Sequence, residues 1–210
     1  MANTFAPYGF LQFQGGAGGA PTFAQSRRLI ASANNTAIYT GDPVTPVAGT
    51  GAATGYITSA ANGTEPIAGI FMGCKYLSVS QKRVVWSSYW PGSDASGDVD
   101  AYIIDDPNSR FVVQSSGSGF PITGTLTNQT SGVQGQYATF ALGTGNTSTG
   151  RSGAYLSGVS TTITSPFIIV DYAVSFGNGG DPTTQYCNMI VGFNNEVWRT
   201  NGAGPASINA

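Results

Sequence analysis

The side chains able to do chemistry in this chain are mostly carboxylates. Five aspartates crowd one stretch, Asp94, Asp98, Asp100, Asp105 and Asp106, and the only glutamates are Glu65 and Glu196. There is no histidine. That removes the usual general base, the Ser-His-Asp and Cys-His arrangements and the commonest metal ligand. Two carboxylic acids a few ångströms apart suffice for glycoside hydrolysis. Glu65, however, precedes Pro66 in a turn and Glu196 follows Asn194-Asn195 in a loop, so both read as solvated turn acids. Oxygen ligands on a loop can also hold calcium. The spacing does not fit an EF-hand loop, so turn capping and a polar outer face are the default for Asp94–Asp106, with a structural calcium as the alternative. Two lone cysteines give zinc no ligand set. The glycine clusters lack a following helix to hold phosphate. The expectation is a protein without a cofactor that is not an enzyme.

The elements that carry these acids are legible in part. Val99, Ala101 and Ile103 alternate with Asp98, Asp100 and Tyr102, the period of a half-buried strand. In Asp105-Asp106-Pro107-Asn108-Ser109, Asp106 supplies a turn acceptor and Pro107 pre-sets φ for the next position. Phe111-Val112-Val113 starts a return strand, so the sequence predicts a β-hairpin. Elsewhere short apolar runs are separated by turn residues about every ten positions, as in a sandwich or barrel. Later strands are predicted over 166–175, with Ile168, Val170, Tyr172 and Val174 on one face, and over 185–193, with Cys187, Met189, Val191 and Phe193 on one face. Another is expected near Tyr137–Leu142.

The same stretch carries a resemblance. Trp90-Pro91, then Ala101-Tyr102-Ile103-Ile104-Asp105-Asp106-Pro107, Phe111 and Gln114 are similar to a motif of tailed-phage virion proteins. The start, Met1-Ala2-Asn3-Thr4-Phe5-Ala6-Pro7-Tyr8-Gly9-Phe10, resembles the opening of that group. So do the runs Thr36–Val44, Pro66–Phe71 and Thr149–Gly153, in the same order along most of the chain; the extreme C-terminus departs from it. What the resemblance implies is a head decoration (cement) protein on the exterior of a phage capsid, made in the host cytoplasm. Its partners would be the major capsid protein and itself, as a homotrimer at local three-fold positions or a dimer across two-folds. The alternative is a carbohydrate-binding or fibre-type virion module, for which an exposed aromatic platform including Trp90 or Trp198 would be the mark.

Composition fits a sheet protein. Only 9% of residues are charged, 40% are hydrophobic and 11% aromatic, unlike a disordered chain. Gly, Thr, Ser and Asn fill the gaps and form helices poorly. The fold class expected is all-β, an antiparallel β-barrel or sandwich with long Gly/Ser/Thr-rich loops and an N-terminal arm. The net charge of −2, with Arg27-Arg28 opening an apolar run, argues against a nucleic-acid partner. No apolar run approaches the roughly 20 residues of a membrane helix, and the N-terminus lacks a secretory pattern. Cys74 and Cys187 are expected as core thiols rather than a disulfide.

Residues 1–24 are Gly-rich yet hold Phe5, Tyr8, Phe10, Phe13 and Phe23. One reading is an arm docking on a neighbouring subunit, removable without unfolding the rest. The other is a first strand of the chain's own domain, followed by a glycine loop. Residues 25–210 read as a single β-rich domain with a sub-boundary near 115–150. With Trp90 and Trp198, those five aromatics are the candidate capsid or subunit contacts. Trp86 is expected in the core.

Overall fold

A computed structural model describes residues 2–16, 19–49, 53–61, 63–117, 119–125, 128–175 and 179–198. The described residues form no helix, and the all-β expectation is borne out. The strands of the first half are β1 (Leu11–Gln14), β2 (Ser26–Ile30), β3 (Ile38–Tyr39), β4 (Pro43–Ala48), β5 (Ala53–Ser59), β6 (Gly69–Leu77), β7 (Val84–Ser87), β8 (Tyr89–Trp90) and β9 (Val99–Ile104). The second half adds β10 (Arg110–Gln114), β11 (Thr123–Thr125), β12 (Asn128–Ser131), β13 (Tyr137–Ala141), β14 (Tyr155–Ser160), β15 (Phe167–Tyr172) and β16 (Asn188–Phe193).

They build two units. In one, the order β4-β5-β2-β9-β6 closes on itself because β4 also pairs with β6, through Pro43–Ile70 and Val44–Gly69. The result is a small five-stranded barrel with β7 appended to β6; the β2–β5 contact is parallel and the other pairs antiparallel. Its interior holds Ile30, Val44, Ile57, Phe71, Ala101 and Ile103, and the short β3–β8 ribbon brings Ile38 and Trp90 into the same cluster. Closure leaves few edges to protect. The other unit is an antiparallel sheet in the order β1-β10-β16-β15-β13-β14. Its inner face (Phe111, Val113, Phe140, Phe167, Met189 and Val191) packs in one cluster with Ile67, Ile70 and Ile104 from the barrel side.

Several expectations change. Val99–Ile104 and Arg110–Gln114 are strands, and the turn forms as read, with Ser109 N–H donating to Asp106 O and Asn108 N–H to the Asp106 side chain, both at 2.9 Å. They are not a hairpin, because β9 pairs with β2 and β6 whereas β10 pairs with β1 and β16. Residues 105–109 therefore carry the chain from barrel to sheet, upstream of the boundary expected near 115–150. In β15 the buried face is Phe167, Ile169 and Tyr172, with Val170 and Val174 outside. A bulge between Ile169 and Asp171 shifts the alternation by one residue. The Cys187, Met189, Val191 and Phe193 face is buried as read.

The structure takes the second reading of the N-terminus. Leu11–Gln14 is β1, paired with β10. Phe10 is fully buried and stacks on Phe167 at 4.5 Å between centroids. The strap upstream is tied down by Gln114, whose Oε1 accepts Ala6 N–H at 2.8 Å and whose Nε2 donates to Thr4 O at 2.9 Å. Asn3 adds donations to Asp181 O and Gln185 O. Leu11–Gln14 is thus a strand of the sheet, and Asn3, Thr4 and Ala6 are hydrogen-bonded to it and to the loop before β16.

Candidate interaction surface

The runs that carry the family resemblance meet at the joint between barrel and sheet. Phe10 N–H donates to Gly41 O (3.0 Å), Gly41 N–H to Phe71 O (2.8 Å) and Phe71 N–H to Asp42 O (2.9 Å). Thr40 and Arg151 form a parallel bridge. At the centre lies Asp42, buried, with Oδ1 accepting Ser152 Oγ–H at 2.5 Å and Oδ2 accepting Tyr39 N–H at 2.7 Å. Burial raises its pKa, and those two hydrogen bonds oppose the rise. Gly41 has φ +95°, and a Cβ there would stand 3.0 Å from Phe10 N. Only glycine meets both demands at that corner. These residues fasten two modules together.

The aspartate stretch separates into single-purpose contacts. Asp94 accepts from Ser78 Oγ (2.5 Å) and from Ser80 N (2.7 Å), which lowers its pKa. Asp98 accepts from Tyr56 Oη and Ser32 N. Asp100 pairs with Arg27 and Asp105 with Arg28, while Asp106 caps its turn. Among the described residues no three of His, Cys, Asp and Glu converge on a metal position. Glu196 is not a solvated loop acid. It is buried, its Oε1 accepts Trp198 N–H at 2.9 Å, and its backbone bridges to Ile67. Glu65 is half-buried.

The two thiols occupy different clusters, Cys74 in the barrel and Cys187 against the sheet, and both are free. Burial pushes the Cys74 pKa up to about 12 and raises that of Cys187.

The aromatic contact candidates divide. Phe10 and Trp90 are fully buried, so neither offers a contact surface. Trp90 fills the barrel end, with Tyr76 edge-on at 5.3 Å and its Nε1–H directed at Asn34 O (3.3 Å). Tyr8 is half-buried and donates to Asn188 Oδ1; Phe13 is half-buried. Trp198 is half-buried against the barrel cluster, with the Arg28 guanidinium 4.5 Å above its ring. Phe5 packs on Tyr155 and Tyr186 yet stays 42% exposed. Phe23, at φ +49°, is 54% exposed.

Trp86, expected in the core, is 67% exposed. It stands on β7, and its ring lies nearly parallel to that of Tyr102 at 5.6 Å, with Lys75 Nζ 5.4 Å from its centroid. Gly73, the partner of Tyr102 on β6, lies close under the backbone of Ser87. Its φ is +147° and a Cβ would come 2.9 Å from Ser87 O. Beside the indole runs an open groove of about 410 Å³ lined by Gln25, Met72, Ser87, Ser88 and Tyr102. Leu77 and its cross-strand partner Val84 are also exposed, as is Val79 just beyond. β7 hydrogen-bonds to β6 alone, so its other edge is open among the described residues. Sequence reasoning missed this hairpin. The available signal was the pair Lys82-Arg83 directly before Val84-Val85-Trp86, a charged turn leading into an apolar strand.

No family model, curated protein or solved structure matches this chain. Among the described residues no helix is long and apolar enough to cross a membrane.

Proposed function

We propose that this chain is a phage-capsid decoration (cement) protein that binds the exterior of the expanded head and stabilises it by bridging major capsid subunits. The observation that carries the reading is the gathering of large apolar side chains (Leu77, Val79, Val84 and Trp86) on the surface of one hairpin. Other large apolar side chains are exposed elsewhere, at Phe5, Phe23, Ile163, Val170 and Val174, but none of those places gathers four along one hairpin. A patch of that kind on a small folded unit marks a surface meant to be covered. The sequence resemblance says by what. Several of its runs hold residues that join barrel to sheet, Phe10, Gly41, Asp42, Phe71 and Ser152 among them. A rigid, weakly charged module that binds the assembled shell and not its separate parts lowers the free energy of the shell by mass action. The proposed partners are the major capsid protein and further copies of this chain; nucleic acid and membrane have no part in it.

The carbohydrate-binding alternative has weaker support. The platform it required is not formed at Trp90, which is buried, or at Trp198, which lies under Arg28. At Trp86 the indole faces are approached by Tyr102 and Lys75. Quantitative mass spectrometry of purified virions tests the proposal. A copy number comparable to that of the major capsid protein is expected. A few copies per particle would overturn it in favour of a vertex, fibre or tail component.

A further inference from the structure

We propose that the β6–β7 hairpin is the element that grips the shell, and that its occupant is an acidic, extended segment of a capsid subunit laid along the open edge of β7 with Trp86 as anchor. This rests on the decoration reading above and specifies its partner.

Three observations carry it. The edge of β7 is unpaired among the described residues, and an unpaired edge presents a row of backbone donors and acceptors that an extended segment can complete. Trp86 is exposed but held: its ring stacks on Tyr102 and lies within 5.4 Å of Lys75 Nζ. An anchor already fixed in position loses little side-chain entropy on binding, and tryptophan is among the strongest contact residues at interfaces. The third is charge. The stretch from Gly69 to Trp90 contains Lys75, Lys82 and Arg83 and no acidic residue, in a chain whose net charge is −2. Both lysines of the protein are there. Two carboxylates lie close by and both are engaged: Asp94 by Ser78 and Ser80 at the base of the loop, and Asp100, the cross-strand neighbour of Lys75, by Arg27. Such a surface selects a partner with acids around an apolar centre. It disfavours a second copy of itself, because edge-to-edge pairing would bring three cations against three.

The experiment uses the full chain and expanded heads assembled without it. Binding is measured by co-sedimentation at low and high salt for the wild type, Trp86→Ala, Trp86→Phe and the double change Lys82→Glu/Arg83→Glu. Trp86→Ala is expected to weaken binding about thirtyfold or more, with Trp86→Phe retaining most of it. The charge reversal is expected to weaken binding about tenfold at low salt and to flatten its salt dependence. Lys82 and Arg83 are exposed and Trp86 gives up only its surface contacts with Tyr102 and Lys75, so melting temperatures should fall by no more than a few degrees and all variants should unfold cooperatively, which separates lost contact from lost fold. If the wild type does not bind heads, the decoration reading falls and this inference with it. If the wild type binds and both Trp86→Ala and the charge reversal bind equally well, the hairpin assignment alone is overturned. It is also overturned if analytical ultracentrifugation shows Trp86→Ala turning an oligomer into a monomer, because the patch is then the contact between copies.

Discussion

Replacing Asp42 by alanine tests whether barrel and sheet act as one cooperative unit. The change strands two buried donors, the Tyr39 N–H at 2.7 Å and the Ser152 hydroxyl at 2.5 Å. The hydroxyl is itself fixed by accepting Ala154 N–H at 2.8 Å, so it cannot turn freely to another partner. A hydrogen bond to a charged acceptor contributes about 1.5–3 kcal/mol. Against this stands the desolvation of the carboxylate, which dominates its raised pKa. The balance gives a loss of about 2–4 kcal/mol for Asp42→Ala. Asp42→Asn keeps an acceptor for Tyr39 and sheds the charge, and should cost about 1 kcal/mol or less near neutrality. The pH dependence separates the two effects. A carboxyl whose folded pKa lies above its unfolded value near 3.8 contributes most below that value and loses the contribution as pH rises through the folded pKa. The advantage of the wild type over Asp42→Asn is therefore greatest in acid and shrinks toward neutral pH. Guanidinium unfolding followed by tryptophan fluorescence, which sees Trp90 inside the barrel, and by far-UV circular dichroism supplies the assay. Both probes should shift together. An Asp42→Ala variant within about 0.5 kcal/mol of the wild type, or an Asp42→Asn variant as costly as Asp42→Ala, would refute the account of this joint.

Two further outcomes follow from burial. Phe10→Ala should destabilise the protein by about 3–5 kcal/mol, and deletion of residues 2–14 should abolish cooperative unfolding in a thermal scan. A truncated chain that melts like the full one would show β1 to be dispensable. Both thiols should resist a thiol-specific reagent at pH 8 in the native protein and react fully in denaturant, because burial holds Cys74 near pKa 12 and raises Cys187; rapid native labelling of either would contradict its placement.

The sequence showed strands more clearly than it showed partners. The alternation of Val99, Ala101 and Ile103 was readable because one side of β9 faces a closed barrel and the other faces solvent. The turn at Asp106-Pro107 was readable too, since its chemistry is local. What local chemistry does not encode is which strand lies alongside, and so a chain reversal was taken for a hairpin when it is a change of sheet. The face of β15 was misread for a related reason: one bulged residue inverts the alternation, and nothing in Ile168–Asp171 announces it. Trp86 and Trp90 exchanged roles because neighbouring residues do not reveal that β7 is an edge and that β8 caps the barrel end. The aspartates fared better. Reading them as caps and polar outer-face groups matches their partners residue by residue. Of the candidate surface, the sequence showed only its aromatic richness, because exposure at Leu77, Val84 and Trp86 depends on β7 pairing with β6 alone, which is a property of the assembled sheet.

The pairing of β1 with β10 sets a timetable for synthesis. Every strand of the barrel, from Ser26 to Ile104, is made after β1 and before β10. On the ribosome the barrel can therefore close while Leu11–Gln14 still has no neighbour, and the sheet is completed only when Asn188–Phe193 arrives to sit between β10 and β15. The first of these strands to be translated waits about a hundred residues for its partner. A nascent chain halted shortly after residue 104 would hold a finished barrel trailing an orphan strand with Phe10 uncovered, the kind of species that invites aggregation.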